Sequence, residues 1–401
     1  MAALARGAFV AVACIRAASG LNLRADADAG GNLSSEALGE MSIDMAACAA
    51  QIGADDLVMS DLVQAVGMGN HSLDTAEAWR AYQDKLAAQL REDHPEGQRS
   101  RPFRTLVVSA VHDKEWMVEI FHANMKRLMS NKAGDVFEFA LFHIDSSTEE
   151  WSKHEWYRDE TGPVMLKHHG AGCKPQFWAL ITPKIAAQYD YLWLLDEDIR
   201  VDFLNWDFYR TVLATLDPMV SQPVIIPKAP YKRSTGVTRL RMAMPRESTF
   251  VMAFETPRSE VQAPVISTKI WAAVHERNMG NDRLNDWYID DFWDAVAFLG
   301  EAKCKMTGVL AVNAAPVRHM DCHNLFKGTK CVEGCGAGDA NCRAVSGKEA
   351  RLVQEALGAA GCEVSEDWAE EWPCDGKPIH DCHNALWGRS RRASWKASLD
   401  A

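Results

Sequence analysis

QYDYLWLLDEDIRVDF, residues 188–203, drives the apolar run Tyr191-Leu192-Trp193-Leu194-Leu195 straight into three acids, Asp196, Glu197 and Asp198. An apolar run of this length, rich in aromatic side chains, predicts a strand buried on both faces. Parallel strands of that kind end at the carboxyl edge of a sheet, where α/β folds place their ligands. Three carboxylates at such an edge repel one another unless something neutralises them. A divalent cation, a hard ion that takes oxygen ligands, is the simplest neutraliser. A solvated acidic turn is the alternative.

Outward from this stretch, strand-like and helix-like segments alternate. RTLVVSAV (104–111) is β-branched and short, hence a strand, and EWMVEIFHANMKRLMS (115–130) has amphipathic helical spacing. VFEFALFHID (136–145) is the next strand and ends on Asp145; PQFWALITPKIAAQ (175–188) is the helix before the central strand. Further strands are predicted at 220–227, 249–255 and 307–314. The alternation predicts a parallel α/β sheet occupying residues 103–320. Residues 21–102 read as a disordered then helical N-terminal region, in which Ala76, Trp79, Tyr82 and Leu86 share a helix face, closed by the polar linker HPEGQRSRP.

The chain of 401 residues is 47% hydrophobic and 24% charged, ordinary values for a globular protein, and its net charge of −12 argues against a general nucleic-acid binder. Residues 1–20 have an early Arg6, a short apolar core from Gly7 to Ile15, then Ala17, Ala18, Ser19 and Gly20. This is the pattern of a signal peptide, and as a membrane element it would be at most a short N-terminal anchor. Of 11 cysteines, seven fall between Cys322 and Cys382, in a 321–401 extension with a basic tail. Such density suits disulfides in an oxidising compartment, so the expected location is the secretory pathway (Golgi or ER lumen) or the exterior; zinc is the rival use of these thiols. The repeated stretches HMDCHN (319–324) and HDCHN (380–384) fit either a Cys322–Cys382 link or a zinc site.

A strand that opens the domain, a second ending in Asp145 and a later one ending in Asp-x-Asp resemble the A-type glycosyltransferase fold. That fold is a Rossmann-like mixed, mainly parallel sheet flanked by helices that binds a nucleotide-diphosphate sugar. A closer resemblance covers roughly 103–320. FHIDSSTEEWSKHEW, YDYLWLLDEDIRVDFLNWDFY, VSQPVI, VQAPVISTKIW and DWYIDDFW occur in that order, as in a plant and algal family still called domain of unknown function 707. The chain departs from the pattern where DWYIDD replaces a Trp-Gly-x-Asp and in the poorly matched segment 228–262.

The resemblance implies a metal-dependent glycosyltransferase, with Mn²⁺ or Mg²⁺ as cofactor, a nucleotide sugar as donor and a carbohydrate or glycoconjugate as acceptor. In an extended segment Asp196 and Asp198 point the same way and can face one ion, with Glu197 turned elsewhere. By resemblance His319 completes the metal shell, with Asp321 and His323 as neighbours able to replace it. Asp290 matches the family's acid and is the expected base for the acceptor hydroxyl, with Asp291 beside it; Trp287, Tyr288, Phe292 and Trp293 would desolvate it and raise its pKa. Asp145 could accept from the nucleotide's ribose or base and Lys174 could approach a phosphate, while Asp196 faces the ion or the nucleotide it carries. The acid-free stretch 228–246, with Lys228, Lys232, Arg233, Arg239, Arg241 and Arg246, is a basic patch for a diphosphate or an anionic acceptor. Competing functions are a catalytically silent carbohydrate-binding protein on the same fold, a structural secreted protein, and a metal-dependent phosphodiester hydrolase.

Overall fold

The computed structural model describes residues 76–95, 101–145, 147–170, 172, 174–227, 250–256, 259–279, 289–304, 306–320, 347–365 and 394–397. The leader, the basic stretch 228–246, Trp287, Tyr288, Asp321, His323 and, of the seven tail cysteines, all but Cys362 lie outside the described residues.

The central apolar run forms β4 (Tyr191–Leu194), and all four residues are buried. It is covered on both faces, as its composition requires. Tyr191 and Trp193 join the core layer containing Phe121 and Phe208, while Leu192 and Leu194 join the one containing Trp178 and Trp293. Burying a side chain of this size contributes about 1.5–3 kcal/mol. On one side β4 pairs in parallel with β1 (Arg104–Val111), which pairs with β2 (Val136–His143), and β2 pairs with β3 (Val164–His169). These four strands are a parallel block whose carboxyl ends share one edge.

On its other side β4 meets β8 (Val265–Ser267) antiparallel, and the order continues through β6 (Val220–Pro227), β9 (Val309–His319), β7 (Phe250–Glu255) and β10 (Ser394–Ala397). The tenth strand, β5 (Ile199–Arg200), lies off this path and pairs with β9. The sheet is therefore mixed. Between Asn313 and Pro316 the β6–β9 register shifts, with Pro223 opposite Val312 but Ile225 opposite Val317. Pro316 has no N–H to give a ladder, so an interruption there is where a proline is tolerated. Beyond it β9 resumes and delivers His319 opposite Ile199 of β5.

One face is covered by α1 (Ala76–Asp93), α2 (Glu115–Met129) and, past the short helices α3 (Glu149–Ser152) and α4 (Glu155–Arg158), by α7 (Trp206–Leu216). The other carries α5 (Lys174–Ala179), α6 (Pro183–Ala186), α8 (Trp271–Met279), α9 (Ile289–Cys304) and α10 (Gly347–Ala359). The helix expected over 175–188 is two pieces. Thr182 caps α6 by accepting from the Ile185 N–H, and Pro183 opens it.

Packing crosses both boundaries drawn from the sequence. α1 lies against α7, with Trp79 Nε1 donating to the Phe203 carbonyl at 3.2 Å and the buried Gln83 amide donating to the carbonyls of Phe203 and Ala314. The folded unit thus begins before residue 103. Cys362 pairs with Cys304 at the end of α9, so the unit also extends past 320. The partner of this tail cysteine lies outside the tail.

Candidate functional site

β4 ends in a tight turn. The Ile199 N–H donates to the Asp196 carbonyl at 3.1 Å, closing a four-residue turn over the three acids. The turn is tied at both ends: Asp196 N donates to the Gln262 carbonyl at 2.9 Å, and Met320 N donates to the Asp198 carbonyl at 2.9 Å. The extended geometry expected for Asp196 and Asp198 is therefore replaced by a turn, which sends the three side chains to three different partners.

Asp196 meets Lys174, the first residue of α5, whose Nζ lies 2.7 Å from one carboxylate oxygen and 2.9 Å from the other. Both side chains are about nine-tenths covered, at 10% and 11% exposure. Lys174 was expected to approach a phosphate; here its ammonium grips the acid. Glu197 turns toward β1, where its Oε1 lies 2.7 Å from His112 Nδ1 and its Oε2 accepts from the His112 N–H at 2.6 Å. Asp198 meets His319, with Nε2 at 3.2 Å from Oδ2. Its other oxygen, Oδ1, is buried with no hydrogen-bond partner. An acceptor in that condition costs about 1–3 kcal/mol unless a ligand satisfies it.

The electrostatics follow from these pairings. Burial pushes the Asp196 carboxyl up, Lys174 pulls it down and Asp198 pushes it up again; the net direction is up. Burial acts the same way on Asp198, but the His319 imidazole, with Lys174 behind it, outweighs burial and holds this carboxyl below its ordinary value. Burial lowers the His112 imidazole, yet the Glu197 contact wins and holds it above its ordinary value. Two carboxylates and an imidazole are oxygen and nitrogen donors of the kind Mn²⁺ and Mg²⁺ accept, and the unsatisfied Asp198 Oδ1 is an acceptor such an ion would complete. Among the described residues no three His, Cys, Asp or Glu side chains form a ready-made metal cluster.

Asp145 lies just beyond β2, and its Oδ2 accepts from the Asp113 N–H at 2.9 Å. Asp113 in turn accepts from the N–H groups of Glu149 at 2.7 Å and Glu150 at 2.9 Å, and from the Ser147 hydroxyl. Asp145 thus holds the β1–α2 loop. Asp290 is half-buried in the first turn of α9, and Asp291 follows it in the helix. Phe292 and Trp293 are fully buried in the core. Further along the helix Asp294 is fully buried and accepts from Ser259 N at 3.0 Å and Ser259 Oγ at 2.7 Å. α9 still reaches the acid turn indirectly. Trp293 contacts Trp178 at 5.9 Å, and Trp178, Lys174 and Asp196 line a cavity of about 10 Å³, room for one water.

The structure thus brings Lys174, Asp196, Asp198 and His319 together and leaves Asp145 two strands away. His112 and Asp113 went unnoticed in the sequence. Their signal was the one that exposed the acid triplet, a polar pair directly behind a buried strand.

The chain is a Rossmann-like α/β protein with a mixed sheet and an acidic turn at the carboxyl edge of a central strand. It belongs to the family described as "Protein of unknown function (DUF707)", whose model matches residues 80–360. No curated protein matches it. Among solved structures it is similar to GalNAc-T7 with UDP, GalNAc and Mn²⁺, with TM-score 0.38 and 14% identity over 55% of this chain and 44% of that one. It is similar to the mannosyltransferase PcManGT from Pyrobaculum calidifontis in complex with GDP-Man and Mn²⁺, with TM-score 0.36 and 12% identity over 85% of this chain and 81% of that one. The 4-diphosphocytidyl-2C-methyl-D-erythritol synthase from Anaerococcus prevotii matches with TM-score 0.32 and 12% identity over 53% of this chain and 87% of that one. The chain spans less than half the length of the GalNAc-T7 chain.

Proposed function

We propose that this protein transfers a sugar from a nucleotide-diphosphate donor to a carbohydrate or glycoconjugate acceptor, with Mn²⁺ or Mg²⁺, in the secretory lumen or outside the cell. The observation that carries the reading is the acidic turn behind β4, where Asp198 keeps one buried oxygen unsatisfied beside His319. The leader-like N-terminus and the cysteine usage support the location.

Asp196, Asp198 and His319 are the candidate donors that would hold the ion, which when bound would supply positive charge against the departing diphosphate. The Lys174 ammonium adds fixed positive charge at the same edge. Asp290, in the first turn of α9, takes the acceptor hydroxyl's proton, with Asp291 as its neighbour. Asp290→Asn keeps nucleotide and metal affinity and loses about a hundred- to ten-thousand-fold in turnover. Loss in Asp291→Asn alone moves the role by one residue.

A second reading has its own support. Each of the three acids already has a nitrogen-bearing protein partner, which favours a catalytically silent binding protein on the same fold. A thermal-shift screen of nucleoside diphosphates with and without Mn²⁺ separates the two. At a hundredfold excess over Kd, a ligand stabilises by about 2.7 kcal/mol, roughly 5 °C in a domain of this size. The transferase reading requires a shift that needs both components and vanishes in Asp198→Asn while the unliganded Tm holds. A shift indifferent to Mn²⁺ and to Asp198 overturns it in favour of the silent reading.

A further inference from the structure

Asp196 and Asp198 are both candidate donors for the ion, but their surroundings differ. Asp196 is engaged through both oxygens by one ammonium, at 2.7 and 2.9 Å. Asp198 is touched by His319 on one oxygen and has the other unsatisfied. An ammonium beside a carboxylate and a divalent ion on the same carboxylate repel each other. The pair is nine-tenths covered on both sides, so water screens this repulsion poorly. Lys174 opens α5, whose Phe177 and Trp178 are buried, and it lines the one-water cavity with Trp178, Leu195 and Asp196.

We propose that Lys174 is a positioning residue that withdraws Asp196 from metal binding, so that Asp198 and His319 carry the divalent ion and Lys174–Asp196 stands beside it as a resident ion pair. The proposal rests on the metal-binding part of the functional reading and narrows it. Lys174 acts through Asp196, and the consequence is an asymmetry between two acids that look equivalent in the sequence.

The test is Mn²⁺ titration of the full chain, with Mn²⁺ alone and with a nucleoside diphosphate, followed by electron paramagnetic resonance. In Asp196→Asn the side-chain oxygen still accepts from Lys174, and Mn²⁺ affinity falls far less than in Asp198→Asn, by the loss of one nearby charge rather than of a ligand. Asp198→Asn weakens it by about tenfold or more. Lys174→Met frees Asp196 and tightens Mn²⁺ binding, and adding Asp196→Asn erases that gain. An equal loss in Asp196→Asn and Asp198→Asn overturns the proposal. So does a gain in Lys174→Met that survives in the double variant, because Lys174 would then act by its field alone. Should Lys174→Met fail to fold, the two single aspartate variants decide between these outcomes. A protein that binds no Mn²⁺ under either condition overturns the functional reading itself and this proposal with it, a result unlike either failure above.

Discussion

β2 and β4 are both buried parallel strands that run into acids at the same edge of the sheet, yet they treat those acids differently. Beyond β2, Asp145 is satisfied by a backbone N–H, that of Asp113, and Asp113 by the backbone of α3 and the Ser147 hydroxyl. Beyond β4, Asp196 and Asp198 are met by the side chains of Lys174 and His319, and Glu197 by both the ring and the backbone N–H of His112. A backbone donor is fixed by secondary structure and cannot leave without unfolding. A side-chain partner can rotate away when a ligand offers something better. The β2 edge holds a loop, and at the β4 edge Asp196 and Asp198 rest on side chains that are able to turn away.

The largest effect that sharpens this contrast comes from Lys174→Met. It leaves Asp196 as a covered carboxylate without its ammonium, and breaking such a pair costs about 3–5 kcal/mol. Urea denaturation should show that loss, and Asp196→Asn in the same chain should restore most of it. A Lys174→Met protein as stable as the original means the pair is solvated and exchanges freely with water.

The next concerns pH at the β2 edge. His143 is fully buried, accepts or donates to the Tyr157 hydroxyl at 2.9 Å, and stacks on His169 with centroids 4.8 Å apart. Burial, then His169, pushes its imidazole down from 6.5 to about 4. The unfolded chain binds this proton more readily, so the contribution is complete above about pH 6.5 and is lost as pH falls toward 4. The cost approaches roughly 3 kcal/mol at the acid end. His143→Phe should flatten the acid limb of stability between those values. An unchanged limb would place a charged imidazole at this edge and make it resemble the other.

The smallest effect belongs to Asp145→Ala. Losing the hydrogen bond from the Asp113 N–H costs about 1 kcal/mol of stability, read as a small fall in Tm or in the urea midpoint. Nucleotide-dependent stabilisation should be untouched in this variant. Its loss from a folded Asp145→Ala protein would break the comparison and return Asp145 to the ligand.

What the sequence revealed of these edges depended on distance along the chain. β4 was legible because five consecutive apolar residues before three acids fit only a strand buried on both faces. β8 is three residues between Pro264 and Thr268, and β5 is two, so only their partners make them strands. β3 ends in Lys167, His168 and His169, polar residues that an edge strand tolerates and that no apolar pattern announces. The site divides the same way. The acids were visible because they are contiguous. The turn that spreads them was not, since it depends on ladders to Gln262 and Met320. His112 and the Lys174–Asp196 contact became visible only when α5 and β1 were laid beside β4.

The two-residue ladder between β5 and β9 also sets an order of events during synthesis. β9 lies between β6 and β7, so the sheet stays split until this late strand emerges from the ribosome and inserts. Before that moment the acid turn can have Lys174 and His112 beside it, but Asp198 has no imidazole to meet. A chain truncated before residue 309 lacks both β9 and the side chain that completes the acid turn, so the turn is complete only when β9 is in place. On the proposed function, ligand-induced protection from proteolysis would then report that β9 is in place, and a nascent or clipped chain would be unable to sequester the ligand early.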